Sequence, residues 1–149
     1  MLAGCAQGGS TSGDTAVVAR VADGDTIELD GGDRVRLVQI DAPEVGEGEC
    51  YAKEALQELE GLVPPGAQLE LEADPELDDA DRYDRLLRYL MAEGTNVNVE
   101  LVRRGAATPY FHEGERGRYA DELLAAVQVA RAERRGMWEV CSVDWRPDR

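Results

Sequence analysis

Apolar and polar positions begin to alternate near Thr15, with Val17, Ala19 and Val21 on one side of the pattern. A period of two belongs to a strand with one buried face. Asp23-Gly24 interrupts it, and Ile27 and Leu29 then alternate with Glu28 and Asp30. Gly31-Gly32 follows, and glycines accept the positive φ of a tight hairpin turn. Val35, Leu37 and Gln39 alternate with Arg36, Val38 and Ile40. The pattern predicts three consecutive antiparallel strands. Pro43 stops the pairing, since it has no N–H to give to a ladder.

The period then changes to that of a helix. Between Tyr51 and Val63, apolar residues fall at Ala52, Ala55, Leu56, Leu59 and Val63, and Pro64-Pro65-Gly66 ends the run. Ala67, Leu69 and Leu71 predict a fourth strand, Asp74 to Asp84 an acidic loop, and Leu87 to Met91 a fifth strand turned at Glu93-Gly94. Asn96 or Asn98 is placed to cap a short helix running to Arg104 and ended by Gly105. A longer helix is expected from about Arg116 to Arg135, with Leu123, Leu124, Val127 and Ala130 on one face and Gly136 at its end. Strands interrupted by one helix and followed by two more predict an α+β domain over residues 15–149. Its expected form is a five-stranded OB-fold-like antiparallel barrel with about three helices packed outside. No internal repeat and no second domain is visible.

Composition changes this picture in two ways. Hydrophobic residues make up 43% of the 149, enough for a core, but with a single Phe that core must be mainly aliphatic. Asp plus Glu number 31 against 16 Lys plus Arg, a formal charge of −15. A protein that coats nucleic acid is basic, because its affinity comes from neutralising phosphates. This charge excludes that class and leaves a partner of another kind, or an enzyme that meets its substrate at one focused, metal-assisted spot. Lys53 is the only lysine. The other basic residues are Arg, whose planar fork can hold a phosphate through two hydrogen bonds.

Residues 1–14 read as a flexible tether, Gly/Ser/Thr-rich from Gln7 to Asp14. Leu2, Ala3, Gly4 and Cys5 resemble the lipobox of bacterial lipoprotein signal peptides. That resemblance implies lipidation of Cys5 and an extracytoplasmic protein, membrane-anchored or secreted. The charged and apolar stretches that come before a lipobox are not in the sequence, so an ordinary N-terminal tail is the alternative. No stretch is long and apolar enough to span a bilayer as a helix.

Three segments carry the candidate chemistry: Asp23-Gly24-Asp25-Thr26, then Arg36 to Glu44 (Arg-Leu-Val-Gln-Ile-Asp-Ala-Pro-Glu), then Asp81-Arg82-Tyr83-Asp84-Arg85. Singly they are a turn, a loop with two carboxylates, and a surface ion pair of little energetic weight. Together they hold the parts of a phosphodiesterase. Asp25 and Asp41 with a nearby carbonyl make an oxygen-only site suited to Ca²⁺. Arg36 and Arg85, from different strands, are placed to converge on one phosphate and stabilise the charge of a five-coordinate transition state. Glu44 is the candidate general base for an attacking water.

In order and spacing these segments resemble the staphylococcal nuclease-like (thermonuclease) family. The similarity continues in Val97-Asn98, Leu101-Val102-Arg103, Gly105 and Gly136-Met137-Trp138, and covers about Val17 to Cys141. The resemblance implies a calcium-dependent phosphodiesterase cutting DNA and/or RNA to 3′-phosphate ends. It implies Ca²⁺ held by Asp25, Asp41 and the Ala42 carbonyl, catalysis by Arg36, Glu44 and Arg85, and a nucleotide-binding wall at Tyr83, Leu87 and Tyr110. Two departures stand out. Ala42 replaces a frequent Thr, which a backbone ligand tolerates. Asp84 replaces a common Gly and is placed to pair with Arg85 and weaken its grip on phosphate.

Bacterial relatives also resemble this chain at Cys50 and Cys141, which implies a disulfide and an oxidising compartment. Closing so long a loop contributes about 4–5 kcal/mol in the chain-entropy model. It leaves Cys5 as the odd cysteine, as lipidation would require. His112 is the only histidine, so a histidine-based zinc site or a Ser-His-Asp triad has little to stand on. A monomer is expected. Two other readings compete: a non-catalytic OB-fold module that binds nucleic acid or protein, and a surface-anchored domain whose acidic loop, Glu70 to Asp84, holds a basic partner.

Overall fold

The computed structural model describes residues 14–148. The tether and Cys5 fall outside the described residues, except Asp14, which opens the first strand. The elements in chain order are β1 (Asp14–Asp23), β2 (Thr26–Leu29), β3 (Arg34–Leu37), β4 (Ile40–Asp41), α1 (Ala52–Leu62), β5 (Gln68–Glu72), β6 (Leu86–Ala92), β7 (Thr95–Asn96), α2 (Val97–Arg103), β8 (Thr108–Pro109), α3 (Ala120–Ala132) and the one-turn α4 (Met137–Val140). Short 3₁₀ turns lie at Val45–Glu47 and His112–Gly114.

β1, β2, β3, β5 and β6 form the expected five-stranded barrel. β1 is the longest strand and serves two neighbours, β5 through Asp14 to Val17 and β2 from Val18 onward. β5 pairs antiparallel with β6. The last seam is parallel: Val35, Arg36 and Leu37 of β3 face Leu86, Leu87 and Arg88 of β6. No hairpin joins these two strands. They meet across the barrel after α1 and β5 have intervened, so antiparallel order is not imposed on them.

The inward side chains are aliphatic, as the composition requires. Val18, Ile27, Val35, Leu37 and Leu90 are all buried. β1 does not keep the strict alternation of its sequence, because its register with β2 slips between Val18 and Arg20. An extra residue on one strand re-aims the side chains that follow. Val18 and Val21 are therefore the buried pair, while Ala19 is exposed. β3 is also shorter than its sequence pattern. It ends at Leu37, and Gln39 adopts a left-handed φ of 67° to turn the chain into β4.

Helix α1 covers one side of the barrel with Ala52, Ala55 and Leu59, and Val63 follows them into the core. Asn96, not Asn98, caps α2: its side chain accepts the Val99 N–H at 3.1 Å. Asn98 lies fully buried and stitches strands together. It accepts from the Leu90 N–H at 3.0 Å and donates to the Val38 and Arg88 carbonyls at 2.9 and 3.2 Å. α3 is three to four residues shorter at each end than its apolar run, with Leu123, Ala126, Val127 and Ala130 buried and Leu124 at the margin. Cys50 and Cys141 form a disulfide with Cα atoms 6.1 Å apart, tying the chain before α1 to the end of α4.

Candidate active site

Gly24 and Asp25 form the turn between β1 and β2. The turn sits hard against α1: a Cβ on Gly24 would lie 2.8 Å from the Cβ of Ala55 and 2.9 Å from that of Ala42. Only glycine allows that approach, and it fixes Asp25 in the wall of the barrel. Asp25 is buried, and its carboxylate accepts the Ala42 N–H at 2.8 Å and the Thr26 hydroxyl at 3.0 Å. The Ala42 main chain is thus pinned directly to the first candidate metal ligand.

Arg36 connects the two candidate carboxylates. Its Nη1 donates to the carbonyls of Leu37 and Ile40 at 2.7 and 2.8 Å. Its Nη2 lies 3.3 Å from Asp25 Oδ2 and 3.3 Å from Asp41 Oδ1. The guanidinium is locked in the fork of two acids, with 16% of the side chain exposed. Asp41 ends β4, and 58% of its side chain is accessible. The protein around it still shuts out enough water to push its pKa up to about 6. Arg36 opposes that rise, and the carboxylates of Asp25, Glu49 and Glu44 add to it. A carboxylate crowded by others of its kind is a place where a bound cation removes repulsion.

Glu44 is exposed, three residues beyond Asp41. Its backbone is well held. Its N–H donates to Glu49 Oε2 at 3.2 Å, and the next N–H, of Val45, donates to Asp23 Oδ1 at 3.0 Å. The first acid of the Asp-Gly-Asp turn therefore positions the Glu44 loop, a role the sequence did not reveal.

Arg85 precedes β6. The β3–β6 register sets Leu87 opposite Arg36, and Arg85 comes two residues before Leu87, just outside the strand. Arg36 thus lies on β3 and Arg85 just ahead of the neighbouring β6. Arg85 Nε donates to Asp81 Oδ2 at 2.8 Å. Asp81 Oδ1 also accepts the N–H groups of Tyr83 and Arg85, at 2.9 and 3.0 Å. The partner of Arg85 is thus Asp81, not Asp84. Asp84 has a left-handed φ of 61°, which explains why a glycine suits this position. Tyr83 is 53% exposed, with the guanidinium groups of Arg82 and Arg85 at 4.9 and 5.4 Å from its ring centre.

Tyr110 belongs to a different segment of the chain from Tyr83 and Leu87. It follows β8, which pairs with β4, and its ring lines a cleft of about 290 Å³ shared with Asp41, Ala42 and Trp145. His112 is exposed, its Nδ1 3.2 Å from the Tyr110 hydroxyl.

The profile of the Staphylococcal nuclease homologue family matches residues 34–140. The chain belongs to this family. The match takes in Arg36, Asp41, Glu44 and Arg85, while Asp25 lies upstream of it and is placed by geometry. Among curated relatives, the chain is 34% identical over 137 residues to Endonuclease YhcR of Bacillus subtilis (strain 168), covering 82% of this chain and 11% of that protein. It is 38% identical over 135 residues to Protein ParB of Escherichia coli, covering 81% and 70%. It is 31% identical over 135 residues to Thermonuclease of Staphylococcus intermedius, covering 85% and 77%. The chain thus spans only a small part of the first of these and most of the other two.

The residues present suit a hard cation. Two carboxylates share one arginine nitrogen, one of them is open to the cleft, and among the described residues no Cys or His side chain is hydrogen-bonded to them. Among the described residues no three acidic, His or Cys side chains form a metal cluster. A cation there would take most of its oxygens from main chain and water, which Ca²⁺ tolerates.

Proposed function

We propose that this chain is a calcium-dependent nuclease that hydrolyses DNA or RNA phosphodiesters to 3′-phosphate ends. The observation that carries the reading is Arg36 locked between Asp25 and Asp41, with Glu44 and Arg85 on adjoining structure. Relatives named endonuclease and thermonuclease support the same reaction class. Bound Ca²⁺ would be held by Asp25, Asp41 and the Ala42 carbonyl, and would polarise a phosphoryl oxygen.

The chain's own residues do the rest. Arg36 and Arg85 bind the non-bridging oxygens, and their charge counts for more as the phosphorus gains a fifth oxygen. Glu44 takes a proton from the attacking water. The new P–O bond forms from that water, the P–O5′ bond breaks, and the 5′ oxygen leaves and takes up a proton from solvent. The loop bonds from Asp23 and Glu49 hold Glu44 for this step. The Cys50–Cys141 bond supports an extracytoplasmic setting, and lipidation at Cys5 belongs to the same proposal.

Glu44→Gln tests the assignment. It should lower kcat by about 10²–10⁴-fold, the range for general acid–base catalysis, while Ca²⁺ affinity measured by calorimetry stays the same. Retained hydrolysis in this variant would contradict the role of Glu44.

A further inference from the structure

The loop that carries Glu44 has little packing to hold it. Residues 46–50 are all exposed, and a Cβ added at Gly46 or Gly48 would meet nothing within 4 Å. Asp23 holds Val45 from the barrel side. Beyond that the loop closes on itself: the Glu44 N–H donates to Glu49 Oε2 at 3.2 Å, and the Glu49 N–H donates back to the Glu44 carbonyl at 3.3 Å. Glu44 thus rests on Glu49, and the next residue is Cys50.

The two ends of the Cys50–Cys141 disulfide differ. Cys141 closes α4 and opens the strap after it, and it is fixed: its N–H donates to the Met137 carbonyl at 2.9 Å. Met137 is buried, and its own N–H donates to the Gly105 carbonyl at 2.9 Å. Cys50 belongs to the exposed loop. Beside it Tyr51 takes a left-handed φ of 71°. A side chain of that size rarely adopts this conformation and keeps it only where its surroundings impose it.

We propose that the Cys50–Cys141 disulfide positions Glu44 for catalysis, through Glu49, and that its reduction lowers turnover in a chain that stays folded. The inference rests on the nuclease reading. The bond moors the loose loop to a fixed segment at the residue next to Glu49. Cys50 is exposed, so the thiolate of a dithiol reductant can reach it. The S–S bond then breaks, two thiols form on the protein, and the reductant leaves as its own disulfide. Tyr51 is released to an ordinary φ, and Glu49 moves off the Glu44 N–H with it. The proposed calcium ligands and phosphate arginines are not on this loop. Asp25 lies in the β1–β2 turn, Arg36 on β3, Asp41 on β4 and Arg85 just ahead of β6. The effect therefore falls on kcat and spares KM and Ca²⁺ binding.

The test follows hydrolysis of an oligothymidylate strand at saturating Ca²⁺, with and without dithiothreitol, while circular dichroism monitors folding. Reduction should lower kcat by about 10–100-fold, the loss expected of a misplaced catalytic group, with KM and the calorimetric Ca²⁺ affinity unchanged. Glu44→Gln separates positioning from general loosening. Its loss in kcat should be smaller in reduced than in oxidised protein, because the two changes act on one group and are not additive. Glu49→Ala breaks the same link with the disulfide intact: kcat should fall, and dithiothreitol should then add little. Unchanged kcat in folded, reduced protein would overturn the inference and leave the nuclease standing. So would an equal loss from Glu44→Gln in both redox states, or a loss of kcat that appears only as the chain unfolds. Oxidised wild-type protein that cleaves nothing with Ca²⁺ would instead sink the nuclease reading, and this inference with it.

Discussion

At the scale of single residues, the site depends on groups that do no chemistry. Gly24 is the clearest. With no Cβ, it lets the Asp25 turn rest on Ala55 and Ala42, and the Asp25 carboxylate then reaches the Ala42 N–H. Gly24→Ala should force α1 and the turn apart. Overpacking of this kind costs about 1–3 kcal/mol, so thermal unfolding should show a lower midpoint, and Ca²⁺ affinity should fall with it. An unchanged midpoint would mean that the turn has slack the structure does not show. The five residues with proposed metal or catalytic side-chain roles were legible in sequence because they fall in short segments of fixed order. Their supports were not. Asp23, Gln39 and Glu49 act through backbone groups that folding brings near: Gln39 accepts the Gly117 N–H at 2.8 Å and donates to the Glu115 carbonyl at 3.0 Å, across 78 and 76 positions of sequence. No local pattern announces such partners.

At the scale of elements, the acidic loop proves to be a set of internal ties. Asp79 pairs with Arg88 at 2.9 Å, and Asp81 with Arg85. Glu72, at the end of β5, accepts from Arg118 and from the Tyr119 hydroxyl, each at 2.7 Å. Asp74 is buried and accepts the Tyr89 hydroxyl at 2.7 Å and the N–H groups of Arg118 and Glu76 at 2.9 and 3.0 Å. Acids already engaged in this way leave less free surface for a basic partner. Burial works to raise the Asp74 pKa, but these hydrogen bonds outweigh it and hold the carboxyl below its usual value. A depressed carboxylate stabilises the fold fully above the unfolded-state pKa of about 3.9, and this contribution is lost as pH falls through the folded value. Asp74→Asn should therefore lower the thermal midpoint near neutral pH, by the equivalent of about 1–3 kcal/mol for a buried hydrogen-bonded charge. The gap from wild type should narrow in acid below pH 4. A gap that stays constant with pH would show that the Asp74 charge is not what matters. The five barrel strands and the three longer helices were readable from the sequence pattern, while the two-residue strands β4, β7 and β8 and the one-turn α4 were not. The slip in β1 and the parallel β3–β6 seam were not, because a bulge and a long-range pairing leave no trace in the spacing of apolar residues.

At the scale of the whole molecule, a chain with formal charge −15 is proposed to cut a polyanion. The proposal reconciles the two by assigning phosphate binding to two arginines and a bound cation. Arg36 lies on β3 and Arg85 just ahead of the neighbouring β6, and bound Ca²⁺ would add positive charge where the repulsion is greatest. The acidic field elsewhere should make affinity for long polymers modest. The disulfide belongs to this scale as well, since it closes a loop across 91 positions of sequence and ties the C-terminal strap to the loop before α1. Reduction should remove about 4–5 kcal/mol by the chain-entropy relation, seen as a lower urea midpoint in the presence of dithiothreitol. Equal midpoints with and without reductant would show that the bond constrains little. The central claim is that the Asp25–Arg36–Asp41 site acts through a hard cation. The most direct measurement is hydrolysis of single-stranded DNA by the purified protein with added Ca²⁺ and with EGTA. The account predicts cleavage with Ca²⁺, saturating at about 10⁻⁴–10⁻³ M as expected for a site with few charged ligands, and none with EGTA. Equal cleavage in both, or none in either, would contradict it.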